Sequence, residues 1–203
     1  MKIRLMLLLV GAFLLLTGVG SAHASAIVIF NDGAIDVHDN AAFITGSKYG
    51  NFENISNGFT AAASATPSTL TFGLWIDTGI APATVSYEIG TSAFATDLGS
   101  GMVTLNGSNR TFLFHNIAGD VYFVTIPVTS LKMIAGDTYW LSLSNANDGG
   151  NSGTEAWDIP HGGRGGPAVC NVGFSGVNNG DCPGFGGESW VLSGTVTVPE
   201  PGA

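Results

Sequence analysis

Between Gly136 and Ala146 the side chains alternate with a period of two. Tyr139, Leu141 and Leu143 fall on one face of an extended chain, and Trp140, Ser142 and Ser144 fall on the other. That is the pattern of a half-buried β-strand. Gly136-Asp137 ahead of it and the Asn- and Gly-rich residues 145–153 behind it are turn and loop chemistry. A strand with one apolar face needs partner strands, and the same alternation recurs along the chain.

Leu70, Phe72, Leu74 and Ile76 form one face of a strand with Trp75 and threonines opposite, and Val85, Tyr87 and Ile89 repeat the pattern after Pro82. Tyr122, Val124 and Ile126 share one side of a strand that Pro127 ends or places at a sheet edge. Trp190, Leu192, Gly194, Val196 and Val198 make the last strand. Short strands are also expected at 26–30, ending at the turn Asn31-Asp32-Gly33, and at 102–105, 111–117 and 155–159. Residues 51–60 alternate less cleanly around Phe52, Ile55 and Phe59; 61–68 reads as a small-residue linker and 162–187 as a long glycine-rich loop. About eight to ten short, regularly spaced strands with no helix predict an all-β fold, an antiparallel β-sandwich or jelly roll.

The front of the chain reads differently. Met1-Lys2-Ile3-Arg4 is basic, residues 5–16 are apolar apart from Gly11, and Ala22-His23-Ala24 is a small-x-small cleavage site. The apolar core falls short of the ~20 residues a membrane-spanning helix needs. Residues 1–24 are therefore expected to be a signal peptide read by the Sec export machinery, with cleavage after Ala26 as the alternative. The expected organisation is a β-sandwich domain over 25–198 and a disordered tail over 199–203.

Without Lys2 and Arg4, four basic residues face fifteen acidic ones, a net charge of −11. Such a chain is repelled by phosphate backbones, which excludes nucleic acid as a natural partner. In an exported protein the only cysteines, Cys170 and Cys182, are expected to pair and close a glycine-rich loop. No nearby histidine pair completes a zinc site.

Catalytic constellations are missing from the sequence. There is no Gly-x-Ser-x-Gly elbow, no His-Glu-x-x-His and no phosphate-binding loop. Glu155 and Asp158, three apart on a strand, point to opposite faces and do not make the carboxylate pair of a jelly-roll glucanase. The expectation is a protein that is not an enzyme, with a secreted glycoside hydrolase the least favoured reading. Asn31, Asp32, Asp36 and Asp39 are a candidate structural calcium cluster, weighed against turn-forming roles for the same residues. Of the four tryptophans, Trp140 and Trp157 are the candidates for stacking on sugar, with Asn145 and Asn147 beside them. The competing role for any one of them is core packing.

Three stretches together resemble exported bacterial proteins that carry the PEP-CTERM sorting signal. Val198-Pro199-Glu200-Pro201 matches the opening of that signal; residues 135–143 followed by Ala156-Trp157-Asp158 resemble an "aGtYWLsl … W" segment of such ectodomains. Residues 29–33 with Asn57-Gly58-Phe59-Thr60 resemble their usual opening. In that family an apolar helix and a basic cluster follow the tetrapeptide; the sequence in hand reaches Ala203 before either. The resemblance implies recognition by an exosortase and delivery to the cell surface or the exopolysaccharide matrix. The reading is an exported, non-enzymatic cell-surface or extracellular-matrix protein associated with exopolysaccharide. The alternative is a carbohydrate-binding module.

Overall fold

The computed structural model describes residues 24–33, 35, 41–43, 54–116, 119–147, 156–158, 168–171, 180–181 and 189–197. Among them there is no helix, and the strands form two antiparallel sheets that face each other. The all-β sandwich architecture is as the alternation demands.

Sheet A is built on β4 (Thr66–Ile76). One edge of β4 pairs with β8 (Gly119–Pro127), and β8 pairs in turn with β7 (Arg110–Asn116). The other edge of β4 is shared in succession by β13 (Trp190–Thr197) and the short β10 (Ala156–Asp158). β1 (Ala24–Asn31) lies outside β13, and β2 (Ala41–Phe43) lies outside β10. Sheet B runs β12 (Gly180–Asp181), β11 (Ala168–Asn171), β3 (Asn54–Thr60), β9 (Thr138–Asn147), β5 (Thr84–Gly90) and β6 (Gly99–Thr104).

Alternation then fixes the interior. Leu70, Phe72 and Leu74 from β4, Val124 and Ile126 from β8, and Trp190 and Leu192 from β13 point down from sheet A. Ile55 and Phe59, Leu141 and Leu143, and Val85, Tyr87 and Ile89 rise to meet them from sheet B. Burying each such side chain is worth about 1.5–3 kcal/mol, so this single layer supplies most of the driving force. At one end it is aromatic: the Trp190 ring lies 4.6 Å from Phe30, 4.9 Å from Phe59 and 6.4 Å from Trp157, centroid to centroid. A second small cluster sits on the outer face of sheet A, where Trp75 meets Phe114 edge-on at 6.3 Å beside Val121 and Ala156.

Two details differ from the sequence reading. β2, β11 and β12 fall in stretches read as irregular or looped, because strands of two to four residues are too short to show alternation. The supposed linker 61–68 ends inside β4, which starts at Thr66; Pro67 is accommodated at a register shift opposite Gly194. Pro127 ends β8 as expected, paired there with Thr69 of β4 alone, because the β7 pairing stops at Val124.

Candidate functional site

The outward side chains of sheet B line up in rows that only the register reveals. Asn54, Ser144, Ser86 and Met102 stand abreast, then Ser56, Ser142, Glu88 and Ser100, then Gly58, Trp140 and Gly90. Trp140 is half-buried, and its direct neighbour on each flanking strand is a glycine. No cross-strand side chain comes from either glycine, but the outer side of Gly90 is filled by the returning loop, with Ala95 and Asp97 2.5–2.6 Å from where a Cβ would stand.

Part of this face is roofed by the connection from β5 to β6. Thr91 N–H and Oγ1–H donate to the two Asp97 carboxylate oxygens at 3.0 and 2.7 Å, which closes the loop and holds the Asp97 carboxyl below its usual range. Glycine at position 90 lets the loop fold back, since a Cβ there would stand 2.5 Å from the Ala95 carbonyl oxygen. Phe94 N–H then donates to Ser56 Oγ at 3.3 Å, and Ser56 Oγ also accepts from Ser142 Oγ at 2.9 Å. Both serines are buried beneath this cover, and their bonding to each other keeps the desolvation cost small.

Backbone strain gathers at the same face. Among the described residues only Phe94 and Asn145 are non-glycine residues with positive φ, at 59° and 47°. For a bulky Phe such a conformation costs on the order of 1–3 kcal/mol and persists only where surrounding contacts impose it. Phe94 lies over Ser56, and Asn145 interrupts β9 at its far end with Nδ2 donating to Ser144 Oγ at 3.3 Å.

Glu88 is the charged group of the face. It is half-buried between Ser142 and Ser100, burial pushes its carboxyl up, and no hydrogen-bond or ion-pair partner faces it among the described residues. Sequence reading passed over it because a carboxylate alternating with Tyr87 and Ile89 looks like an ordinary solvated position. That no described cation faces it depends on strand neighbours that the sequence does not disclose.

Of the residues singled out for sugar, the structure brings some here and removes one. Trp140 is on the face, Asn145 is exposed at its end, and the Asn147 carbonyl accepts from Ala83 N–H at 2.6 Å where β9 meets β5. Asn145 is about 17 Å along the strand from Trp140 at ~3.4 Å per residue, a separation only an extended ligand covers. Trp157 is a correction. It is fully buried between the sheets, its Nε1–H donating to the Ser189 carbonyl at 3.4 Å, and it has no face to offer a sugar.

The calcium cluster does not assemble from the residues described. Asn31 Oδ1 accepts Gly33 N–H at 3.0 Å in a turn, whereas Asp32 points inward, only 3% exposed, its N–H donating to the Trp190 carbonyl. Burial pushes the Asp32 carboxyl up to about 6, and its Oδ1 has no hydrogen-bond partner. Among the described residues no three His, Cys, Asp or Glu side chains converge; Asp36 and Asp39 lie outside them. So do Cys182 and the motif Val198-Pro199-Glu200-Pro201.

Two further features complete the surface. His115 Nδ1 and Asp120 Oδ1 are 2.8 Å apart across the β7–β8 hairpin, and Asp120 Oδ2 accepts Gly79 N–H at 2.9 Å. This carboxylate ties the hairpin to the β4–β5 turn. On the outer face of sheet A, Leu113, Phe123, Thr71, Val191 and Ile35 line an open groove of about 480 Å³. Searches of protein-family models, of curated proteins and of solved structures find no match to this chain.

Proposed function

We propose that this chain is an exported, non-enzymatic β-sandwich of the cell surface or extracellular matrix that holds polysaccharide on the outer face of sheet B. The carrying observation is Trp140, a half-buried indole on this face, with half-buried Ser86 and Glu88 and exposed Ser100 on the neighbouring strands. An aromatic ring gives the apolar face of a sugar a stacking surface, and flanking hydroxyls and carboxylates bond its hydroxyl groups. That both strained non-glycine residues border this face supports a binding role for it.

Export is supported by the basic-apolar-small pattern of residues 1–24 and sorting by an exosortase by the Val198–Pro201 tetrapeptide. A Cys170–Cys182 disulfide suits the oxidising compartment, and the antiparallel pairing of Cys170 with Gly180 brings the neighbouring chain alongside. The test is affinity electrophoresis of the exported chain through gels containing neutral, amino-sugar and uronic polysaccharides. Retardation by at least one polymer that Trp140→Ala abolishes, with the thermal melt preserved, is the expected result. No retardation by any polymer, or equal retardation of the variant, refutes the proposal.

A further inference from the structure

The chain itself closes off part of the face on which Trp140 lies. Residues 91–98, which connect β5 to β6, turn back over sheet B. The Ala95 carbonyl oxygen and Asp97 Oδ1 come within 2.5 and 2.6 Å of where a Cβ on Gly90 would stand. Gly90 is the direct neighbour of Trp140 on β5, and such neighbours hold their Cβ positions about 4.5–5.5 Å apart. The returning loop thus stands on the β5 side of the indole, where a sugar chain lying across the strands has to pass. Its tip reaches Ser56 on β3, so the loop crosses β9, and Ser142 lies beneath it bonded to Ser56.

What the loop covers is polar, and what holds its tip down is slight. Ser56 and Ser142 are almost fully buried, and their hydroxyl groups bond each other and one backbone N–H. That N–H is Phe94's, at 3.3 Å, longer than the usual range for such a bond. The other described bonds of the loop lie within it or at its base. Ala95 N–H donates to the Ser92 carbonyl at 3.1 Å, Leu98 N–H to the Ile89 carbonyl at 3.1 Å, and Thr91 bonds twice to exposed Asp97.

Phe94 takes a φ of 59° to sit as it does, which is unfavourable for a bulky residue. Lifting the tip releases that strain, and water replaces the bond to Ser56 at small cost. Against this stand the half-buried Phe94 side chain and the close fit on Gly90. Opposing contributions of similar size leave two arrangements near enough in free energy for a ligand to shift the balance.

Resting on the polysaccharide reading, we propose that residues 91–98 are a lid on the glycan site, latched by the Thr91–Asp97 bonds. The lid lifts as the polymer enters, and Ser56 and Ser142 then offer their hydroxyl groups to sugar beside Trp140. The closed fraction lowers the apparent affinity, and weakening the latch raises it.

Amide exchange followed by NMR tests this on the exported chain, with glucose, N-acetylglucosamine, glucosamine and alginate hexamers as the probes. A hexamer that binds should speed exchange at Phe94 by about fivefold or more, whereas a ligand that simply covers the loop slows it. Thr91→Val removes one arm of the latch without changing charge. It should speed Phe94 exchange in the absence of sugar and tighten hexamer binding on the order of threefold, and Asp97→Ala should do more of both. A bound hexamer that slows Phe94 exchange or leaves it unchanged overturns the lid and leaves polysaccharide binding standing. So do variants that leave the exchange unchanged, or that speed it yet bind no tighter. Absence of binding to all four hexamers, by the parent and both variants, overturns both readings. Thermal melts of the variants establish that the sandwich is folded.

Discussion

Asp32→Asn isolates what an inward-facing carboxylate does to this sandwich. The Asp32 carboxyl is almost fully buried beside Trp190, has an unpartnered Oδ1, and is pushed up to about 6 from 3.8 by burial alone. The native state thus holds the proton more tightly than the unfolded chain does. The stability this contributes is complete below the unfolded value and is lost as pH rises through about 6. Linkage puts the full difference at up to about 3 kcal/mol. Asparagine keeps the shape and cannot ionise. Urea denaturation at pH 4 should therefore find the variant and the parent similar, and at pH 8 the variant should be the more stable by up to ~3 kcal/mol. Measuring the difference between the two proteins removes the contribution of every other titrating group. An Asp32→Asn variant that is less stable than the parent at pH 8 would refute the reasoning. It would mean that the ionised carboxylate has a positive partner, and loss of the parent's stability in chelator would identify that partner as a metal ion.

Three other perturbations have defined outcomes. Asn57 faces the interior from β3 with neither amide atom bonded, so Asn57→Leu should stabilise the fold by about 1–2 kcal/mol in the same urea assay; destabilisation would show that the amide is satisfied. Gly90→Ala should cost about 1–3 kcal/mol and speed amide exchange at Phe94, because the new methyl collides with the Ala95 carbonyl; unchanged exchange would mean that the loop does not rest there. Free-thiol titration of the unfolded, unreduced exported protein should find no reactive thiol. Cys170→Ser should then lower stability by up to about 3 kcal/mol, and two titratable thiols in the parent would dismiss the bridge.

The sandwich was legible wherever a strand was long enough to alternate. β4, β9 and β13 each show their buried face in sequence, and the structure places Leu70, Phe72, Leu141 and Leu143 in the interior accordingly. β3 reads poorly because Asn57 occupies an inward position between Ile55 and Phe59. The tryptophans separate by what covers each face: Trp75 and Trp140 both lie opposite the main core, yet Phe114 covers the first and glycines flank the second. That difference, like the placing of Glu88 beside Ser142, comes from pairings between residues about forty to eighty apart in the chain, which local periodicity cannot carry. Trp157 was misjudged as a sugar platform for the same reason. Its burial depends on β10 completing the edge of β4 beyond the end of β13.

The role of Trp140 can be read directly from its own emission. Trp75, Trp157 and Trp190 are buried, and Trp140 is the tryptophan at the proposed site. Adding a bound glycan oligomer to the parent should shift and partly shield the fluorescence, and the same titration of Trp140→Phe should give no change while Trp157→Phe retains it. A ligand-induced shift that survives in Trp140→Phe would place the sugar elsewhere on the molecule and contradict the account.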